Sequence, residues 1–176
     1  MNICIYGSAN EEIDITFRNA GVKLGEALGT SGHTLIFGGG ASGMMGAVAR
    51  GVRKVGGQVI GISPEFFNVD GVLFEDCTKM IYTADMRSRK EKLENMADAF
   101  IVTPGGIGTM DEFFETISLK QLKIIDKPLI IYNVNGFYNN LIELLKSSAE
   151  MHFLGKDDLD LFYVSDDPEK ILEYIK

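Results

Sequence analysis

The sequence predicts an α/β protein with a mostly parallel sheet and helices on both faces. Two observations carry this. Short apolar runs of strand length alternate with longer segments of helical period, the β-α-β-α rhythm of a parallel sheet. The strand-like runs are also continuously apolar rather than alternating, as strands covered on both faces must be.

The elements follow in order. "NICIYG" (2–7) reads as a buried strand ending in glycine, and 11–30 as a helix with Ile15, Ala20, Val22, Leu24, Ala27 and Leu28 at helical spacing. "HTLIFGGG" (33–40) is the second strand, 43–55 a helix of small residues and Met, and "QVIGIS" (58–63) the third strand. "PEFFNVDGVLFED" (64–76) is the least regular stretch and reads as a loop near a strand end. "CTKMIYT" (77–83) is a short strand, 85–97 a helix, 99–103 a strand, 109–125 a helix and "PLIIYN" (128–133) a strand. A helix at 137–149, the strand "LFYVS" (161–165) and a short terminal helix complete the chain. With 176 residues and no linker, repeat or low-complexity tract, 1–176 is expected to be one domain.

Composition narrows the function. A net charge of −8 leaves no basic footprint for nucleic acid, whose phosphates need clustered Lys and Arg. No apolar run is long enough to span a membrane, and the N-terminus does not read as a signal peptide, so no membrane partner is expected. Cys4 and Cys77 lie in apolar runs without CxxC spacing and read as reduced core thiols of a cytoplasmic protein. His33 and His152 are far apart, so no metal site is expected.

Three glycine turns, "YGSAN", "FGGGASG" and "TPGGIGT", each follow a strand. Ligands of open α/β sheets bind beyond the carboxyl ends of the strands, so the three turns can share one crevice. "GGGASG" (38–43) fits G-x-G-x-x-G, with Glu65 after the next strand, but it follows the second strand rather than the first. A tight turn, a dinucleotide site and a phosphate or ribose contact all remain open there. In "PGGIGT" the glycines Gly105, Gly106 and Gly108 precede a helix start, where free N–H groups and the dipole favour an anion. "TMDE" (109–112) equally matches a capping box, with Thr109 as N-cap and Glu112 reaching back. Asp111 and Glu112 would repel a phosphate at that helix end, so a cation is needed. "DMRSRKEKLENMA" (85–97) supplies one. At about 100° per residue from Met86, Leu93, Met96 and Ala97 share its arc, and Arg89 and Lys90 fall on it at about 300° and 40°. Arg87, Glu91 and Glu94 fall outside. Cations on an apolar face need partners or must snorkel, so Arg89 and Lys90 either reach water or meet an anion in the crevice.

An Arg-Lys pair followed some fifteen residues later by P-G-G-x-G-T-x-x-E resembles the hallmark of the Lonely Guy (LOG) family. Here these are Arg89-Lys90 and Pro104 to Glu112. "ICIYGSAN", "FGGGASGMMGAVA" and "LKIIDKPLIIYNVNGFYNNLI" extend the likeness over nearly the whole chain. The resemblance implies a Rossmann-like, doubly wound fold, a homodimer, no cofactor, and hydrolysis of a nucleoside 5′-monophosphate to free base and ribose 5-phosphate. It makes Arg89 and Glu112 the catalytic pair. Implied substrate contacts are Gly7 and Ser8 of the first turn, Gly39 of the second, Met86 and Lys90. The third turn and its helix add Gly105, Gly106, Ile107, Gly108, Thr109, Met110, Asp111 and Glu115, and Glu65 and Ser118 match further contact positions. One departure is Met86-Arg87 where the family usually has Met-His.

The residues support that chemistry. Cleaving a ribosyl–purine bond builds an oxocarbenium-like centre that a nearby carboxylate stabilises. Placed in a helix first turn, Glu112 is expected to stay ionised. Arg89 would balance it and hold phosphate or base, since a guanidinium does not act as an ordinary acid. A Schiff-base lysine, as pyridoxal-dependent lysine decarboxylation needs, has no evident setting here. Two other readings compete: a molybdenum-cofactor carrier of the same fold, which needs no Glu112, and a single-strand DNA binder, which the charge disfavours.

Overall fold

A computed structural model describes residues 1–176. Seven strands form one sheet: β1 (Asn2–Tyr6), β2 (Thr34–Phe37), β3 (Val59–Pro64), β4 (Lys79–Thr83), β5 (Ala99–Val102), β6 (Leu129–Tyr132) and β7 (Tyr163–Ser165). Their spatial order is β4-β3-β2-β1-β5-β6-β7, and every neighbouring pair is parallel. The chain winds outward from β1 to β4, then returns to the other side of β1 with β5. That reversal makes the sheet doubly wound and opens a crevice where β1 parts from its neighbours.

Six helices cover the sheet: α1 (Ile15–Thr30), α2 (Gly43–Lys54), α3 (Met86–Met96), α4 (Ile107–Gln121), α5 (Asn139–Glu150) and α6 (Pro168–Tyr174). Side chains alternate along each strand, so one strand feeds two cores. Ile3 and Ile5 face a core shared with Leu24 and Leu28 of α1, Val48 and Val52 of α2, and Ile171 of α6. Cys4 and Tyr6 face the other, with Leu93 of α3, Phe113 of α4 and Leu145 of α5. Burial pushes the Cys4 thiol well above its ordinary range and the Cys77 thiol up to about 11, so both stay protonated at neutral pH. No helix is long and apolar enough to cross a membrane.

Helix boundaries depart from expectation where side chains compete with the backbone. The first helix starts at Ile15 rather than 11. Ser8 Oγ accepts from Asn10 N (3.0 Å), Asn10 Oδ1 from Glu12 N (2.9 Å) and Asp14 Oδ1 from Thr16 N (2.8 Å), so local turns use the segment first. The fourth starts at Ile107, two residues early, because Gly106 takes the extended N-cap conformation. It ends at Gln121, and Lys123 turns left-handed with φ 57°.

α1 and α2 pack backbone to backbone. A Cβ on Gly25 would strike the Val48 carbonyl, and one on Gly51 the Val22 carbonyl. This seam fixes α2, and with it the turn that leads into α2. Gly25→Ala is expected to lower stability by about 1–3 kcal/mol through overpacking, read as a lower urea midpoint with an unchanged m-value.

Candidate active site

The three glycine turns converge, and backbone hydrogen bonds knit them. Ser8 N of the first turn donates to Pro104 O of the third (3.1 Å), and Met45 N donates to Ser8 O (3.1 Å) beside the second. Gly7 and Gly43 have no room for a Cβ, which would strike Thr103 Oγ1 and Ser8 O respectively. Gly39 takes a left-handed φ of 83° that folds the second turn back. The turns enclose a cleft of about 660 Å³.

α4 begins at the third turn. No side chain caps it, and its first turn holds no acidic residue. The capping box expected at Thr109 therefore does not form: Thr109 is the third residue of the helix, buried, with its side chain against Gly105. The first-turn amides are left to face the cleft, with the positive end of the dipole behind them. A Cβ at Gly106 or Gly108 would meet nothing within 4 Å, so both leave open space at that helix end.

Arg89 and Glu112 form the floor. Arg89 Nη1 donates to Glu112 Oε1 at 2.9 Å, and both side chains are about nine-tenths buried. Arg89 Nε donates to Ile62 O at 3.3 Å, and its other nitrogen lies where a Cβ on Gly38 would sit. α3 brings Arg89 because its N-cap, Asp85, and Ser88 close a reciprocal capping box that fixes the helix start. Glu112 is the sixth residue of α4, not in its first turn, so the dipole argument for a fully ionised carboxylate weakens. Burial raises its pKa, and the Arg89 charge opposes that rise. Thr116 Oγ1 donates to the Glu112 carbonyl (2.9 Å) and shares a hydrogen bond with Tyr6 OH (3.2 Å), tying this turn of α4 to β1.

Lys90 takes another direction. Its ammonium reaches Asp111 (3.1 Å) and Glu115 (2.7 Å), and the Glu115 hydrogen bond is the main cause of its raised pKa. It clamps α3 to α4 behind the cleft wall instead of lining the cleft. Met86, expected on the core arc, is 39% exposed and lines the cleft from the first position of α3.

Of the residues singled out in the sequence, the cleft gathers Gly7, Ser8, Met86, Arg89, Gly106, Gly108, Thr109, Asp111 and Glu112. Gly39, Gly105 and Met110 do not line it: Gly39 lies against Ser63 and Leu73, Gly105 against Thr109, and Met110 packs on the core that holds Leu93 and Phe113; Lys90 and Glu115 also stand outside it. Ile107 is 91% exposed, and Glu65 is exposed in a 3-10 turn. Ser118 lies in a separate hollow of about 110 Å³ beside Phe114 and Leu145, its hydroxyl donating to Phe114 O (2.6 Å).

Little in the sequence points to the far wall. Phe67, Gly71, Val72 and Leu73, from the irregular stretch 64–76, close the cleft opposite α4. Ala41 N donates to Val72 O (3.0 Å), Phe74 N donates to Gly39 O (2.8 Å), and Leu73 bridges Gly40 antiparallel. Met45 and Ser63 join the same wall. The one signal in sequence was a hydroxyl, Ser63, at the end of an apolar strand.

Comparisons with known proteins bear on the family and the fold. The family model described as possible lysine decarboxylase matches residues 45–175. A probable cytokinin riboside 5′-monophosphate phosphoribohydrolase of Oryza sativa subsp. japonica is 32% identical over 174 residues, covering 99% of this chain and 70% of that protein. The cytokinin riboside 5′-monophosphate phosphoribohydrolase LOG3 of Arabidopsis thaliana is 36% identical over 152 residues, covering 86% of this chain and 71% of that protein. Among solved structures, the molybdenum cofactor binding protein of Rippkaea orientalis shares the fold, with a TM-score of 0.76 at 21% identity over 99% of this chain and 94% of that one. The chain belongs to the LOG family, whose model carries the description possible lysine decarboxylase.

Proposed function

We propose that this protein is a nucleoside 5′-monophosphate phosphoribohydrolase that hydrolyses the N-glycosidic bond to a free purine base and ribose 5-phosphate. The observation that carries this is a buried Arg89–Glu112 pair beside an uncapped helix N-terminus in one cleft. The 5′-phosphate sits on the first-turn amides of α4, between Gly105 and Thr109, and the ribose above Glu112. The far wall of Met45, Phe67, Val72, Leu73 and Met86 supports a base carrying an apolar substituent, as in a cytokinin riboside monophosphate. No lysine lines the cleft, which leaves no residue for the Schiff base of a pyridoxal-dependent decarboxylase. The protein acts as a homodimer on this reading.

Glu112 stabilises the sugar cation and takes a proton from the attacking water as its hydroxyl bonds to C1′. A carboxylate with a raised pKa holds that proton and passes it to the departing base nitrogen. Arg89 fixes the carboxylate in place and keeps it ionised between turnovers.

Incubation with AMP and with isopentenyladenosine 5′-monophosphate is expected to yield free base and ribose 5-phosphate. Nucleotide binding without release from either would instead support a carrier. Glu112→Ala is expected to reduce kcat by at least ~10²-fold while retaining measurable nucleotide affinity; normal turnover in that variant would end the assignment.

The pH dependence has a definite sign. The ordinary glutamate value is 4.5, and burial raises that of Glu112, so protonation occurs at a higher pH than for a free carboxyl. The ionised form is the working form, so kcat falls as pH drops through the raised value. The acid limb of kcat, which reports the bound complex, is expected above 4.5 and absent from the residual activity of Glu112→Gln.

A further inference from the structure

β3 ends in Ile62-Ser63-Pro64. Ser63 is fully buried yet lines the cleft. Its hydroxyl has one contact, 3.4 Å to the carbonyl of the next residue, Pro64. That is longer than an ordinary O–H···O bond. Buried hydroxyls normally find a sound partner, and an unbonded one is costly where alanine or valine would not be. The Ser63 hydroxyl is therefore only weakly satisfied where it sits, at the wall of the cleft.

Its position identifies what it meets. The carbonyl just before it, on Ile62, accepts from Arg89 Nε, so the end of β3 adjoins the Arg89–Glu112 pair, with the Ser63 side chain on the other face of the strand from Ile62. The phosphate turn follows β5, and the order β3-β2-β1-β5 puts Ser63 three strand spacings away, about 14 Å. A nucleotide with its phosphate at α4 and its ribose above Glu112 points its base at β3. The neighbours there are Gly39, Leu73 and Met80, which offer no N–H or O–H of a side chain.

We infer that Ser63 reads the leaving base, its hydroxyl donating to a purine ring nitrogen at the β3 end of the cleft. The inference rests on the phosphoribohydrolase reading and adds the residue that recognises the base. Ser63 is a specificity residue: it discriminates by the ring acceptor it meets, while the apolar wall around it tolerates substituents.

The test separates base recognition from folding and from turnover. Binding of AMP and of ribose 5-phosphate is measured by calorimetry in a Glu112→Gln background, with and without Ser63→Ala. Ser63→Ala is expected to weaken AMP about tenfold, the worth of one neutral hydrogen bond, and to leave ribose 5-phosphate unchanged. Of 1-deaza-, 3-deaza- and 7-deaza-AMP, one is expected to bind the Ser63 protein about tenfold more weakly than AMP and to be indifferent to Ser63→Ala. Unchanged AMP affinity, an equal loss for ribose 5-phosphate, or a full Ser63→Ala effect on all three analogues would overturn the inference. If the unsubstituted protein binds AMP and isopentenyladenosine 5′-monophosphate but releases base from neither, the phosphoribohydrolase reading fails, and the same titrations on that protein still decide the role of Ser63.

Discussion

The buried ion pair between Arg89 and Glu112 is the constraint on which the site depends. Removing two charges from water is expensive, and their attraction offsets this only when the geometry is good and the remaining hydrogen-bonding groups are used. The protein meets both conditions through backbone. The Ile62 carbonyl takes a second proton of the guanidinium, and glycine at position 38 leaves room for its far nitrogen. β3, the turn after β2, α3 and α4 must all be in place for the pair to exist. A wholly apolar replacement would pack at least as well, so the pair is better explained by chemistry than by stability.

The doubly wound topology delivers those parts to one point. Parallel strands end on the same edge, so each glycine turn opens on the same side of the sheet, and the reversal at β1 leaves space between them. The close seam of α1 against α2 then sets the height of the second turn. Lys90, clamped between Asp111 and Glu115, does the same for α4 relative to α3. The geometry of the cleft is set by helix packing behind it as much as by the residues that line it.

Much of this was legible in the sequence, and the failures have physical reasons. Periodicity alone placed Arg89 on the inner face of its helix. It placed Lys90 there too, but could not show that carboxylates from α4 would claim it. Thr109 looked like a cap because Thr-x-x-Glu is a local pattern; the structure resolves the helix start with Gly106, whose extended backbone no local rule selects over threonine. The far wall was opaque for a different reason. Residues 64–76 have no regular period, and they are ordered by hydrogen bonds to Gly39 and Ala41, far away in sequence.

The electrostatics point to how an acidic protein holds a nucleotide. Around the catalytic floor two cations, Arg89 and Lys90, face three carboxylates, Asp111, Glu112 and Glu115, and every one of these groups is already partnered. Formal charge there does not attract a phosphate. What remains is the uncapped α4 terminus, whose amides and dipole bind an anion without a counterion. The acidic residues of α4 lie beyond its first turn, where the dipole field has fallen off and repulsion with the phosphate is reduced. This division explains Gly106 at the N-cap and Gly108 in the first turn: on the proposed reading they let the anion approach the amides themselves. On the proposed reading, a phosphate held there adds negative charge on the Glu112 side of the cleft, which disfavours the ionised carboxylate. On that reading, substrate binding strengthens Glu112 as a base for the water that attacks the glycosidic carbon.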